Sequence, residues 1–399
     1  MKHRFVYTLL IFVSAIASLC SCQHDLELDN DINIDIPIPS EGYIFFSSGI
    51  ADTRGVATPT GPLKGDFNVL GYRYPSTWVA IKPQARQSLR ITYTNNDNIL
   101  VDATETDKDN HVGVFGINHA NPNYKDSIPG VQTVTYNSNG SFTYEPLQSW
   151  QKNLKYAFFA WYPTTLVANG GDDAYEGSPY ITYTLPDGVD STARQSMVDV
   201  LTACRIDYTK RDGLTVPLKM KHRLAALDIK AKSLITGRAL KDTYSEFDSV
   251  AVDAAVVVDV TSLSLTLKGI YTSVNIPLDD TDDSQQMVAT DPVLNKTYTG
   301  FAADNDVTAG DPVSLVGNDE LLMLIPQDDD IEVSVNVSYT VECSGKTKAF
   351  TYETSATING LEGGVYHYLL LTFTKSGLFV QANKAVTWKD KADVEHTFE

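Results

Sequence analysis

The stretch Ile331-Glu-Val-Ser-Val-Asn-Val-Ser-Tyr-Thr-Val341 decides the fold. Apolar and polar residues alternate along its whole length. A period of two sends one face to a core and the other to water, which is the signature of a half-buried strand. Strand signals recur outward from it. Downstream they cover 348–354, 366–373 and 377–388. Upstream in the same half they cover 214–218, 224–231, 250–260, 262–267 and 321–325. The first half repeats the pattern at 67–74, 77–81, 88–93, 140–144, 155–162 and 180–185. Turn chemistry separates these runs: Asn137-Ser-Asn-Gly140, Asn169-Gly-Gly171 and Pro186-Asp-Gly188. Helical periodicity is scarce. Its best candidate, 191–204, is not strongly amphipathic. Short strands with regular turns predict an all-β chain of β-sandwich domains.

The chain has 399 residues, more than one ordinary core holds, and 43% of them are hydrophobic, enough for two cores. The expected division falls near Arg211-Asp212-Gly213, giving domains at 43–212 and 213–399. Residues 22–42 are acidic and end in Ile-Pro-Ile-Pro-Ser, which reads as an extended tether. Before the tether, Lys2-His3-Arg4 leads into an apolar run over 5–19 and then Leu19-Cys20-Ser21-Cys22. That run is shorter than the ~20 residues a spanning helix needs, so 1–21 reads as a signal peptide. Its end resembles the lipobox of bacterial lipoproteins. Cys22 follows a small residue and fits the acylated position, whereas Cys20 follows bulky Leu19.

Formal net charge is −19. Such a surface repels phosphate backbones and argues against nucleic acid as a partner. After Cys20 and Cys22, the cysteines left are Cys204 and Cys343. Export permits them to pair, and two separate thiols fit equally well. The chain has no His-Glu-x-x-His, Gly-x-Ser-x-Gly or Gly-x-x-x-x-Gly-Lys motif. Acidic clusters at 279–283, 304–306 and 328–330 lack calcium-loop spacing and read as solvated turns. No catalytic residue, metal site or cofactor is expected, and the chain is not read as an enzyme. The run Phe158-Phe159-Ala160-Trp161-Tyr162-Pro163 contains enough rings for a sugar platform. Alternate strand residues point to opposite faces, so a core strand is the plainer reading.

Several segments, in order, resemble the fimbrillin family, the type V pilins and accessory pilus lipoproteins of Gram-negative bacteria. They are the lipobox; the early strand Tyr43-Ile44-Phe45-Phe46 followed by Thr53-Arg54; and Gly65-Asp66-Phe67-Asn68-Val69-Leu70-Gly71-Tyr72. Next come Tyr144 to Trp150 with the Phe-Phe-Ala-Trp-Tyr-Pro run, and Val216 to Ala225 with His222. Gly363-Gly364-Val365-Tyr366-His367-Tyr368 and Val386-Thr387-Trp388 complete the set.

The resemblance implies two tandem transthyretin-like β-sandwiches. It implies that the strand Tyr43 to Ile50, with Tyr43, Ile44, Phe45 and Phe46 at its start, fills a groove, and that a trypsin-like protease cuts after Arg54. It also implies that a neighbour's tail replaces the lost strand. Here that tail carries Val386, Trp388, Val394 and Phe398, with His396 an imperfect plug. The implied partners are other pilin subunits, outer-membrane lipid through acylated Cys22, the processing protease, and a ligand on a host or bacterial surface. The implied role is a stalk, tip or accessory subunit at the cell surface. A fimbrial anchor, or a non-polymerising surface lipoprotein that binds glycans, remains the alternative.

Overall fold

The computed structural model describes residues 42–51, 59–77, 79–81, 90–94, 100–102, 113–114, 131–145, 147–151, 153–169, 180–278, 287–289, 294–301, 306–316 and 321–384. These residues form β-sheets with a few short helices, so the chain is all-β. The largest sheet runs in the order β2 (Pro59–Pro62), β1 (Phe45–Ala51), β9 (Thr215–His222), β8 (Leu201–Tyr208), β6 (Leu154–Tyr162), β3 (Phe67–Pro75), β4 (Val131–Tyr136) and β5 (Phe142–Thr143). Its pairs are antiparallel except β1 with β9, which is parallel.

The centre of this sheet is buried on both sides. Phe67, Val69, Phe158 and Ala160 enter one apolar cluster, while Leu70, Tyr72, Phe159 and Trp161 enter another. Period-two alternation explains the split, because neighbours on β3 and β6 face opposite ways. The run at 158–163 is therefore core, and Trp161 is 1% exposed. Its indole N–H donates to the Leu166 carbonyl at 2.7 Å, so burial leaves no polar group stranded there. Trp161 offers no face to a sugar.

The second cluster continues into the C-terminal sheets. β13 (Ile331–Cys343) has the burial rhythm its sequence predicts, with every second residue buried. It pairs antiparallel with β11 (Val256–Ile270) and with β14 (Lys346–Ile358). β11 joins two expected strands into one, through a register shift between Val260 and Ser262. A further sheet holds β10 (Ala225–Ser233) parallel to β15 (Tyr366–Thr374), which pairs antiparallel with β16 (Gly377–Lys384). β7 (Tyr180–Thr184) pairs with β12 (Ser273–Pro277), so a strand from each half of the chain shares that ladder.

One finding changes the sequence reading. The expected helix over 191–204 is a five-residue helix, α1 (Ser191–Gln195), capped by Asp190, and then strand β8. Pairing on both sides, with β6 and β9, holds β8 extended despite its weak alternation. The expected division at 212–213 falls in the turn between β8 and β9, two neighbouring strands of one sheet. Cys204 is half-buried and Cys343 buried, and no disulfide joins them.

Candidate functional site

β1 is the unusual element, because it is inserted from far away in sequence. Its parallel register sets Phe46 beside Val216 and Ser48 beside Leu218, with Ile50 beside Met220. The segment alternates: Ile44, Phe46 and Ser48 are buried, while Tyr43, Phe45 and Ser47 are half-buried. The buried set faces the smaller apolar cluster, with Val216, Leu218 and Met220 on the same side of the sheet. Phe46 meets Phe158 edge-on with ring centroids 5.3 Å apart, and Tyr144 at 5.5 Å. These separations suit aromatic pairs beyond simple area burial.

Polar groups fix the entry of the strand. The Tyr144 hydroxyl donates to the Ile44 carbonyl at 2.8 Å and accepts the Gln148 N–H at 3.2 Å. Burial pushes the Tyr144 phenol well above its ordinary value, so it stays protonated and able to donate. The Ile44 N–H donates to the Gln148 carbonyl at 2.8 Å, and Phe45 N–H to the Leu214 carbonyl at 3.1 Å. Trp150 N–H donates to the Gly42 carbonyl at 3.0 Å, and its indole N–H reaches the Leu214 carbonyl at 3.3 Å. Trp150 also packs edge-on against Tyr156, centroids 5.1 Å apart. The segment from Tyr144 to Trp150 thus clamps the start of the N-terminal strand.

On its outer side β1 is covered by β2, with Gly49 opposite Pro62 and Ala51 opposite Pro59. Residues 52–58 join β1 to β2 in sequence. They include Arg54 and lie outside the described residues, as do Cys22, Val386, Trp388, Val394, His396 and Phe398. Of the expected site residues, the structure brings together Tyr43, Ile44, Phe45 and Phe46. Sequence reasoning did not assign Tyr144, Trp150, Val216 and Leu218 to this slot. Their signal was present as motif segments, but the contact between Tyr144 and Ile44 spans 100 residues and needs the fold to appear.

Other motif residues are structural fasteners. Tyr366 donates to the Asp228 carboxylate, and Ser314 donates to its other oxygen at 2.7 Å. This polar knot ties parallel β10 to β15. His222 pairs with Asp199 at the end of β9. Among the described residues, no group of three or more His, Cys, Asp or Glu is placed to hold a metal ion. Asp328, Asp329 and Asp330 are exposed at the turn that opens β13.

The fold and site define a class: an all-β sandwich in which an early strand completes a sheet built by later parts of the chain. Residues 94–388 match the family described as fimbrillin-like, and the chain belongs to that family. Its fold is similar to a fimbrial protein from Bacteroides vulgatus, with 16% identity, 80% of this chain and 92% of that chain covered, and a TM-score of 0.50. It also aligns with the tip fimbrial protein Mfa3 from Porphyromonas gingivalis, truncated at its C-terminus. There the identity is 9%, the coverage 87% of this chain and 96% of that one, and the TM-score 0.33. No curated protein matches the chain.

Proposed function

We propose that this chain is a structural subunit of a cell-surface pilus that serves adhesion and assembles by strand exchange. Membership of the fimbrillin-like family supports the fimbrial role and a non-enzymatic one. The observation that carries strand exchange is the insertion of β1 between β2 and β9. A trypsin-like protease cutting after Arg54 severs the connection from β1 to β2. The N-terminal segment is then held by non-covalent contacts alone. Its departure bares the edge of β9 and an apolar trench lined by Phe158, Val216 and Leu218. Bare edges recruit strands from other chains.

The occupant we propose is the C-terminal segment of the next subunit, with Val386, Trp388, Val394 and Phe398 as its apolar residues. Repeated head to tail, this exchange gives a fibre. Acylated Cys22 holds the precursor at the outer membrane until the cut. An arginine between β1 and β2 favours a polymerising stalk or tip subunit over an anchor. Sheet membership supports placing the domain division after β9, near Arg223, rather than at 212–213. The glycan-binding alternative loses its strongest aromatic, because Trp161 is buried.

Limited trypsin treatment of the purified full chain tests the reading. Release of the segment ending at Arg54, followed by an SDS-resistant ladder, is the expected result. Clean cleavage at Arg54 with persistent monomer sinks polymerisation. An Arg54→Ala chain that still forms the ladder sinks the assigned cut site.

A further inference from the structure

We infer that β1 is a deliberately weak occupant whose loose half is Ser48 to Ala51, so that displacement begins at that end and favours an incoming strand with an apolar side chain at the level of Ser48. The part about the incoming strand rests on the pilus reading. The weakness of β1 does not depend on it.

Among residues 44–48 the buried alternate positions are Ile44, Phe46 and Ser48, and the third breaks the apolar series. Ser48 is 5% exposed, level with buried Leu218, and its hydroxyl has no hydrogen-bond partner among the described residues. A hydroxyl stripped of water with nothing in return disfavours the buried state. The contrast with Ile44 is sharp, since its carbonyl is met by the Tyr144 hydroxyl. Gly49 follows, and a glycine inside a strand adds conformational freedom to the released chain and no packing to the bound one.

The flanks repeat the asymmetry. The residues that β2 sets against this half are Pro62 and Pro59, and proline has no N–H to give to a ladder. The register with β2 also shifts between Gly49 and Ala51. On the other flank the pairing with β9 is parallel from Phe45 to Ile50, slightly less stable per residue than antiparallel pairing, and this weakens both halves alike. The first half has Phe46 between Tyr144 and Phe158, together with the clamp from Gln148, Trp150 and Leu214. One half therefore anchors the strand and the other is ready to open beside the proposed cut.

Amide hydrogen exchange on the intact full chain tests the weakness directly. Amides at 48–51 are expected to exchange faster than those at 44–46. Ser48→Ala and Ser48→Val should raise protection at 48–51 by ~5- to 50-fold, as expected for removing one orphaned buried hydroxyl. Ser47→Ala, on the opposite face, should stay within about 2-fold of wild type, in keeping with a substitution away from the core. Opening at 44–46 first, or equal protection in the Ser47 and Ser48 variants, overturns the inference. A second measurement addresses the slot. After trypsin cleavage, labelled peptides of residues 43–51 with Ser or Ala at position 48 are compared for dissociation. The Ala peptide should leave ~5- to 50-fold more slowly. Equal or faster loss overturns the preference. If cleaved chain keeps its own strand and binds neither peptide, the exchange reading fails, while the amide data still judge the weak half.

Discussion

Tyr144 is the residue on which retention of the N-terminal strand turns. Its hydroxyl is the partner of a backbone carbonyl in β1 and of a backbone N–H four residues ahead of itself. Tyr144→Phe keeps the ring against Phe46 and removes only the hydroxyl. The Ile44 carbonyl then has no phenol to accept from, so about 1–2 kcal/mol of stability should be lost in urea unfolding. Loss of the N-terminal segment after cleavage should quicken by a comparable factor. An unchanged midpoint would mean that the hydroxyl does not hold the strand. Phe46→Ala removes a ring enclosed by two others and leaves a cavity, with an expected loss of about 3–5 kcal/mol. These roles were not legible in the sequence. Tyr144 and Trp150 stood out there as parts of a motif, but nothing local tells a clamp from ordinary core aromatics. What distinguishes them is a partner 100 residues away.

At the scale of elements, legibility followed locality. The β13–β14 hairpin was readable because a period of two and a Ser-Gly turn both lie within one stretch. Ser344 and Gly345 have φ of 51° and 76°, the two left-handed positions that the right-handed twist of a tight hairpin demands. No atom lies within 4 Å of where a Cβ on Gly345 would sit, so substitution there is a matter of backbone conformation alone. Gly345→Ala should destabilise by about 1–2 kcal/mol in thermal unfolding, the left-handed penalty for a residue with a Cβ. No change would mean that the turn relaxes to another type. The helix expected over 191–204 failed for the opposite reason. β8 carries little alternation, because its neighbours β6 and β9 dictate its extension. β1 was legible as a strand, but its parallel partner β9 lies too far along the chain for any local pattern to name.

At the scale of the whole molecule, composition and strand count gave the all-β class, and motif order gave the family. The arrangement of sheets was not legible. One sheet takes strands from residue 45 to residue 222, and the ladder of β7 with β12 joins the two halves. Both apolar clusters depend on buried tyrosines, and this gives the molecule a shared chemical weakness. Tyr74, Tyr144, Tyr183, Tyr298, Tyr339 and Tyr366 all have phenols raised above the ordinary value of 10.0, burial being the largest cause in each. For Tyr74 and Tyr366 the nearby carboxylates of Asp207 and Asp228 push the same way. The sign follows from proton binding. Above pH 10 the unfolded chain gives up phenolic protons that the folded chain keeps, so it binds fewer protons and stability falls as pH rises. Below the unfolded value the full contribution is present. Each such tyrosine contributes a loss of up to about 1.4 kcal/mol per pH unit. Several acting together should unfold the protein steeply just above pH 10. Following phenolate absorbance alongside far-UV circular dichroism checks this: of the 21 tyrosines, the buried ones should ionise last, in a step that coincides with collapse of the sheet signal. Completion of the phenolate rise while the sheet signal persists would mean that these hydroxyls reach solvent, and that the cores are looser than their burial implies.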